Sequence, residues 1–327
     1  HYDEYAKDIV ENYNIEKDSL VVDLGSNDGS MLASFKKQGM NVVGVEPASL
    51  IADYASQSGI KTINDYFSDR VVSQIVADYG KADVITANYM FANIDNIVDF
   101  TKSVESLLAE NGIFVVETGY HPEQFKIKMF DYIYHEHFSY FTVGVFNYLF
   151  DQCGLKMIDV QKTKPKGGSI RVVIQKYSGS RETLPSVSMT INDEKESSIY
   201  EIETYREFSN SLQELKSELI KLLKSIKEKG QSVVAFGASH STTTLIYHFE
   251  LGDYIDYIVD DNEAKHGLYS PGLHIPVFST NRIYVDKPNY VLLLAWQHSS
   301  VILERHSKFL SNGRRVIVPL PSVRVLG

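Results

Sequence analysis

The sequence predicts an α/β protein: a doubly wound N-terminal domain, a connecting helix, and a smaller Rossmann-like C-terminal domain. Three observations carry that expectation. Short β-branched runs alternate with amphipathic stretches as far as "GIFVVETGY", the alternation restarts at "SVVAFGASH", and a long polar stretch with helical spacing separates the two. The expected boundaries are 1–191, 192–229 and 230–327.

In chain order, VVDLG (21–25), NVVGVE (41–46), ADVITAN (82–88) and GIFVVE (112–117) read as buried parallel strands. Residues 29–39, 48–58, 69–79 and 96–110 read as the helices between and after them. LKMIDVQKT (155–163) and SIRVVIQKY (169–177) form a second β-like region. The stretch 192–229 is patterned as one connecting helix that ends at Gly230, a residue suited to the left-handed turn closing a helix. YIDYIVDD, YVLLLAW and RRVIVPLP then supply the strands of the second alternation.

Composition narrows the function. A chain of 327 residues suits two domains, and 43% hydrophobic with 23% charged residues is the mix of a protein that folds in water. The net charge of −10 is spread along the chain, which argues against a nucleic-acid partner. The lysines of 216–229 read as a solvated helix face. A single cysteine, Cys153, excludes an internal disulfide framework and a cysteine-rich zinc site in this chain, so no metal is expected. No apolar run approaches the roughly 18 residues of a membrane span, and no signal peptide opens the chain; no membrane partner and a cytoplasmic location are the expectations. The first residue is His, consistent with a piece of a longer chain.

Chemistry concentrates first at "VVDLGSNDGS". Asp23 ends a strand, and Gly25 and Gly29 lie in the turn to the next helix, where missing Cβ atoms let a ligand lie on backbone N–H groups. The D-x-G-x-x-x-G spacing is not the G-x-G-x-x-G of a dinucleotide site, which weakens an NAD-dependent oxidoreductase reading. An acidic residue before the loop repels phosphate but suits the ammonium of an amino-acid ligand such as S-adenosylmethionine. Ser26 and Asn27 complete the loop, and Glu46, ending the next strand, is placed to accept both ribose hydroxyls. "INDYF" offers Asp65 to an adenine amino group and Tyr66 or Phe67 as its apolar cover, while Asn88 ends the fourth strand where the donor's sulfonium would project.

The runs VVDLGSNDGSML, VGVEPA, FDYIYHEHFSYFT, GGSIRV, VVAFGAS, PGLHIPV and LLLAWQH, in that order, make the chain resemble the bacterial C-methyltransferases of nucleotide-linked deoxy-keto sugars. The resemblance spans nearly the whole chain. It implies a class I methyltransferase-like first domain that binds S-adenosylmethionine, and a second domain that helps hold a nucleotide-sugar substrate across an inter-domain cleft. Family members carry an additional N-terminal zinc module with four cysteines, and this chain is expected to lack it. The family's Tyr-x-Glu-His run implies catalytic roles for Tyr134, Glu136 and His137.

Carbon methylation needs those residue types. A C–H carbon has no lone pair, so a base must first remove a proton beside a ketone, and donors must face the resulting enolate oxygen. His137 is the first choice for the base, since imidazole titrates near neutrality; Glu136 supports the imidazolium. Tyr134 either donates to the enolate oxygen or is itself the base. His135 alternates with these and is the least certain member. Tyr132, Phe138, Tyr140 and Phe141 read mainly as core.

Three positions depart from the family pattern. Asn93 in "FANID" stands where a histidine is usual and carries no proton at neutral pH. Lys166 replaces the histidine of "HGGS", a fixed positive charge that suits a phosphate or carboxylate. The "GAS" loop is followed by "HSTTT" instead of a lysine. Gly168, Arg171, His240, Trp296 and His298 complete the expected substrate contacts. Sugar O-methylation, or a non-catalytic binding protein on the same scaffold, are the alternatives.

Overall fold

The computed structural model describes residues 2–310 and 313–327. The chain divides into two compact units, the first comprising residues 1–121 and 136–197, the second 122–135 and 198–327.

The first unit is built on a seven-stranded sheet in the order β3-β2-β1-β4-β5-β7-β6. Its strands are β1 (Leu20–Leu24), β2 (Asn41–Val45), β3 (Thr62–Ile63), β4 (Ala82–Asn88), β5 (Leu108–Gly119), β6 (Leu155–Thr163) and β7 (Ser169–Lys176). The first five are parallel; β7 runs antiparallel to both β5 and β6. Helices α1 (Tyr2–Asn12), α2 (Ser30–Lys37), α3 (Ser49–Gln57), α4 (Asp69–Tyr79), α5 (Ile97–Leu107), α6 (His121–Lys126), α7 (Val143–Gln152) and α8 (Pro185–Glu196) occur in that stretch of chain.

Strand periodicity divides the unit's core in two. Val21, Val84, Ile113 and Val115 face a cluster with Tyr5, Ile9, Leu32 and Phe35, whereas Val22, Ile85, Phe114 and Val116 face Phe91, Phe146 and Phe150. Because both faces are covered, the central residues of these strands are mostly apolar, as the sequence patterning predicts. Phe141, read as core, is 3% exposed and stacks on Phe146 at 4.3 Å, but Phe138 is 61% exposed.

The second unit carries a six-stranded sheet, β10-β9-β8-β11-β12-β13. Its strands are β8 (Val233–Phe236), β9 (Ile258–Asp260), β10 (Val277–Ser279), β11 (Tyr290–Leu293), β12 (Arg315–Val318) and β13 (Arg324–Leu326), parallel except for β13. The strand order reverses between β8 and β11, the switch point of a Rossmann-like sheet. Helix α9 (Ile202–Glu228) packs on this core through Leu212, Leu215, Leu219, Leu223 and Ile226, a single stripe at helical spacing.

Three expectations need correction. The helix expected over 192–229 is two helices, α8 and α9, because Ser198 adopts a left-handed φ of 55° that no α-helix can propagate. The helix expected to reach residue 110 stops at Leu107, since Leu108 is extended and pairs with Ala82. Residues 122–135, expected to be N-terminal, pack with the second unit, where Phe130 lies 4.9 Å from the His248 ring and 5.0 Å from Phe249.

Candidate active site

The C-terminal ends of β1, β2 and β4 open on a cavity of about 1270 Å³ within the first unit. Asp23, at the end of β1, is 4% exposed and accepts a hydrogen bond from Thr86 Oγ1 at 2.5 Å. Among the described residues it forms no ion pair. Burial pushes its carboxyl up to about 7, and the negative charge of Glu46 adds to that rise. A buried carboxylate lacking a counter-ion is an unfinished interaction, and an ammonium is what finishes it.

The loop after β1 is shaped for backbone contact. Gly25 has a φ of 71°, and a Cβ there would lie 3.2 Å from Met90 Cγ; Gly29, with a φ of 78°, would press on Ile60 at 3.1 Å. Asn27 donates its N–H to Glu46 Oε2 at 3.0 Å, and Ala48 donates to Oε1 at 2.9 Å. Each carboxylate oxygen retains a second lone pair, so Glu46 can still accept from a diol. Among the described residues, Ser26 Oγ and both amide atoms of Asn88 are buried with no hydrogen-bond partner. These orphaned groups, the glycine cradle and the uncompensated Asp23 fit S-adenosylmethionine.

Where the sequence reading expects the adenine, Asp65 accepts the Tyr66 N–H at 2.7 Å and pairs with Arg70. Phe67 lines the cavity with its ring edge on Phe100 at 5.1 Å, but Tyr66 is 75% exposed. Of the two expected aromatic covers, Phe67 is the packed one.

Beyond Asn88 the cavity acquires residues that sequence reasoning missed. Tyr89 has a φ of 55°, unusual for an aromatic residue, and this strains the backbone by about 1–2 kcal/mol. Its N–H bonds the Glu117 carbonyl at 2.7 Å, and its hydroxyl lies 3.1 Å from Glu117 Oε1 and 3.2 Å from Ser169 Oγ. Burial pushes the phenol well above its ordinary value, so it stays neutral. Glu117, 1% exposed, takes Arg171 Nε at 2.8 Å on its other oxygen. A carboxylate in the apolar run of β5 was the available signal. Tyr2 and Tyr5 of α1 also line the cavity, and no motif announces them.

The expected acceptor contacts separate. Asn93 and Lys166 line the cavity. Lys166, at a left-handed φ of 52°, carries its ammonium 4.0 Å over the Tyr89 ring, and burial lowers its pKa. Arg171 does not line the cavity: its guanidinium is spent on Glu117 and lies 4.0 Å from the Tyr5 ring, because a buried cation must be neutralised. The Gly168 carbonyl accepts the Tyr120 N–H at 3.1 Å, a structural bond. His240 and His298 are exposed in the second unit. Trp296 is 5% exposed and donates to Asp131 Oδ2 at 3.0 Å, so it serves that unit's packing and offers no open face.

The Tyr-x-Glu-His run divides by unit. Tyr134 and His135 belong to the second, where the Tyr134 ring meets His240 edge-on at 6.0 Å and Thr244 Oγ1 donates to the Ile133 carbonyl at 3.2 Å. Asp131, completely buried, anchors this segment by accepting Trp296 Nε1 and Gln297 Nε2, and burial pushes it up to about 7. Glu136 and His137 belong to the first unit. There the N–H groups of Phe138 and Ser139 bond the Ala92 carbonyl at 2.8 and 3.2 Å, tying the run to the cavity's Asn93 loop. His137 lies 5.9 Å from the Tyr140 ring, whose other neighbour, His121 at 6.3 Å, has its pKa lowered by burial. His135 is exposed. Among the described residues no cluster suited to a metal ion occurs, and no helix is long and apolar enough to cross a membrane.

Two family models match successive parts of the chain. Residues 1–160 match a family model described as a methyltransferase domain, and residues 164–321 one described as a C-methyltransferase C-terminal domain. The chain is 35% identical over 318 residues to C-methyltransferase NovU of Streptomyces niveus, covering 97% of this chain and 76% of that protein. Among solved structures, magnesium protoporphyrin IX methyltransferase of Synechocystis is similar over 54% of this chain and 81% of its own, at 12% identity and a TM-score of 0.43. The YcgJ protein of Bacillus subtilis is similar over 55% and 99%, at 13% identity and a TM-score of 0.42.

Proposed function

The chain belongs to the C-methyltransferase family, and from that membership we propose that it methylates a carbon beside the ketone of a nucleotide-linked deoxysugar. The methyl donor is S-adenosylmethionine. The observation that carries the donor site is Asp23, a buried carboxylate at the head of a glycine loop with no cation beside it among the described residues. When bound, S-adenosylmethionine supplies an electrophilic methyl group on a sulfonium.

In this reading Asp23 holds the donor's ammonium, Glu46 its ribose hydroxyls, Ser26 and Asn27 its amino-acid end, and Asp65 with Phe67 its adenine. His137 takes the acceptor's α-proton. It must be neutral to do so, and Glu136 then stabilises the imidazolium. Tyr134 donates to the acceptor's oxygen or takes the proton in His137's place. Asn93, Lys166, His240 and His298 are the proposed acceptor contacts. The hydrophobic neighbours of the run, Phe91 and Phe141 among them, keep water from the reacting carbon.

Labelled S-adenosylmethionine incubated with a panel of nucleotide-linked 4-keto-deoxysugars tests this reading. It expects a carbon-bound methyl group in the product, located by NMR. Methyl found only on oxygen would make the protein a sugar O-methyltransferase.

A further inference from the structure

Helix α1 brings a tyrosine to the cavity that packing alone does not explain. Tyr5 is 2% exposed, its ring lies edge-on to Phe35 at 6.3 Å, and the Arg171 guanidinium sits 4.0 Å over its face. Those contacts hold the ring and would serve a phenylalanine equally. The hydroxyl, by contrast, is buried with no hydrogen-bond partner among the described residues. A buried donor left unused costs the fold its desolvation, so this oxygen destabilises the protein until a ligand accepts its proton.

The Asn88 amide lies beside this hydroxyl, and both of its polar atoms are orphaned in the same way. Strand register sets Asn88 next to Asp23: Asp23 pairs with Thr86 and Leu24 with Ala87, so Asn88 follows directly, opposite Glu117 of β5. Tyr5, Asp23, Asn88 and Glu117 all line the cavity. Burial raises the Tyr5 phenol well above its ordinary pKa against the pull of Arg171, and the Glu117 and Asp23 charges add to the rise, so the phenol stays a neutral donor. The Arg171 cation over its ring is itself committed to Glu117.

An α-amino acid carries its ammonium and its carboxylate on one carbon, so an ammonium held at Asp23 brings a carboxylate to the groups around it. We propose that the Tyr5 hydroxyl and the Asn88 amide N–H bind that carboxylate, which makes Tyr5 a specificity-determining residue for methyl donors with an intact amino-acid end. The inference rests on Asp23 holding the ammonium, as proposed above. Two neutral donors on a carboxylate make charge-assisted hydrogen bonds, and the ligand's own ammonium offsets the repulsion between its carboxylate and Asp23. Asn88 Oδ1 remains to accept from the ammonium, so one amide reads both charges. A decarboxylated donor leaves the Tyr5 hydroxyl buried and unpaired, and a site built to hydrogen-bond a group rejects the analogue that lacks it.

Calorimetry tests it by comparing S-adenosylhomocysteine with two analogues, one lacking the carboxylate and one lacking the ammonium, on wild type, Tyr5→Phe and Asn88→Ala. Wild type should bind the decarboxylated analogue at least about tenfold more weakly than S-adenosylhomocysteine. Tyr5→Phe should lose about 10- to 150-fold for S-adenosylhomocysteine but less than about threefold for the decarboxylated analogue, and that retained affinity shows the variant to be folded. Asn88→Ala should likewise lose more for S-adenosylhomocysteine than for the decarboxylated analogue. Equal losses for the two ligands in either variant, the result expected if the hydroxyl and the amide serve only the fold, overturn the proposal. So does a wild type indifferent to the carboxylate. If wild type binds the deaminated analogue as tightly as S-adenosylhomocysteine, the reading of Asp23 fails, and the response of Tyr5→Phe to the carboxylate still decides on the tyrosine.

Discussion

Binding of the methyl donor should be coupled to a proton at Asp23. Burial raises the pKa of this carboxyl to about 7, and only its ionised form attracts an ammonium. The ionised fraction is then about 0.9 at pH 8, one half at pH 7 and 0.09 at pH 6, so affinity for S-adenosylhomocysteine should fall about tenfold between pH 8 and pH 6, or ~1.4 kcal/mol. Ligand binding pulls the pKa back down, so the proton leaves on binding and affinity rises with pH up to a plateau just above 7. At pH 7 about half a proton is released per ligand, which calorimetry in two buffers of different ionisation enthalpy reads directly. Thr86 and Glu46 are the groups that tune Asp23, and Glu46 pushes in the same direction as burial. Asp23→Asn should bind more weakly at pH 8, by about 10- to 150-fold for a lost charge-assisted hydrogen bond, and without the slope. A flat wild-type profile, or a slope that survives in Asp23→Asn, would refute the reasoning.

Further expectations concern the proposed base, the buried pair, the glycine loop and the anchor of the Tyr-x-Glu-His run. His137→Asn should lower kcat by about 100- to 10,000-fold while leaving S-adenosylhomocysteine affinity intact, and loss of donor binding instead would assign the residue to the wrong role. Arg171→Met should destabilise the protein by about 3–5 kcal/mol in denaturant titration, since it strands the buried Glu117 charge; replacing both residues with apolar ones should cost less. Gly29→Ala forces a side chain into a left-handed position against Ile60 and should weaken donor binding, lowering the melting temperature by several degrees. Asp131 has a folded pKa of about 7, above its unfolded value, so its contribution is present at low pH and is lost as pH rises from about 4 to 7. With saturating S-adenosylhomocysteine holding Asp23 ionised, Asp131→Asn should therefore flatten the decline of stability over that window by about 1.4 kcal/mol per pH unit.

Much of this protein was legible in its one-dimensional pattern. The apolar runs of β1, β2, β4 and β5 had to be strands covered on both faces, because chains that bury both faces of a sheet cannot alternate polar with apolar residues. The left-handed turns at Gly25 and Gly29, and the places of Asp23 and Glu46 at strand ends, were readable because turn and strand signals depend on local sequence. The break at Ser198 was not legible, since the surrounding residues all tolerate helix and only the competing packing of α8 and α9 decides it. Nor was the fate of Arg171, a plausible anchor for phosphate until the fold places Glu117 opposite it on the neighbouring strand.

The same contrast governs the site. The sequence by itself determined the glycine loop and the family, and it suggested the residue types proposed for carbon methylation. Only the tertiary structure decided that Trp296 is an internal donor to Asp131 and that Tyr89 and Lys166 meet. Turn and strand signals are local, while the pairing of charges depends on which distant residues the sheet brings within a few ångströms, a quantity no spacing along the chain encodes.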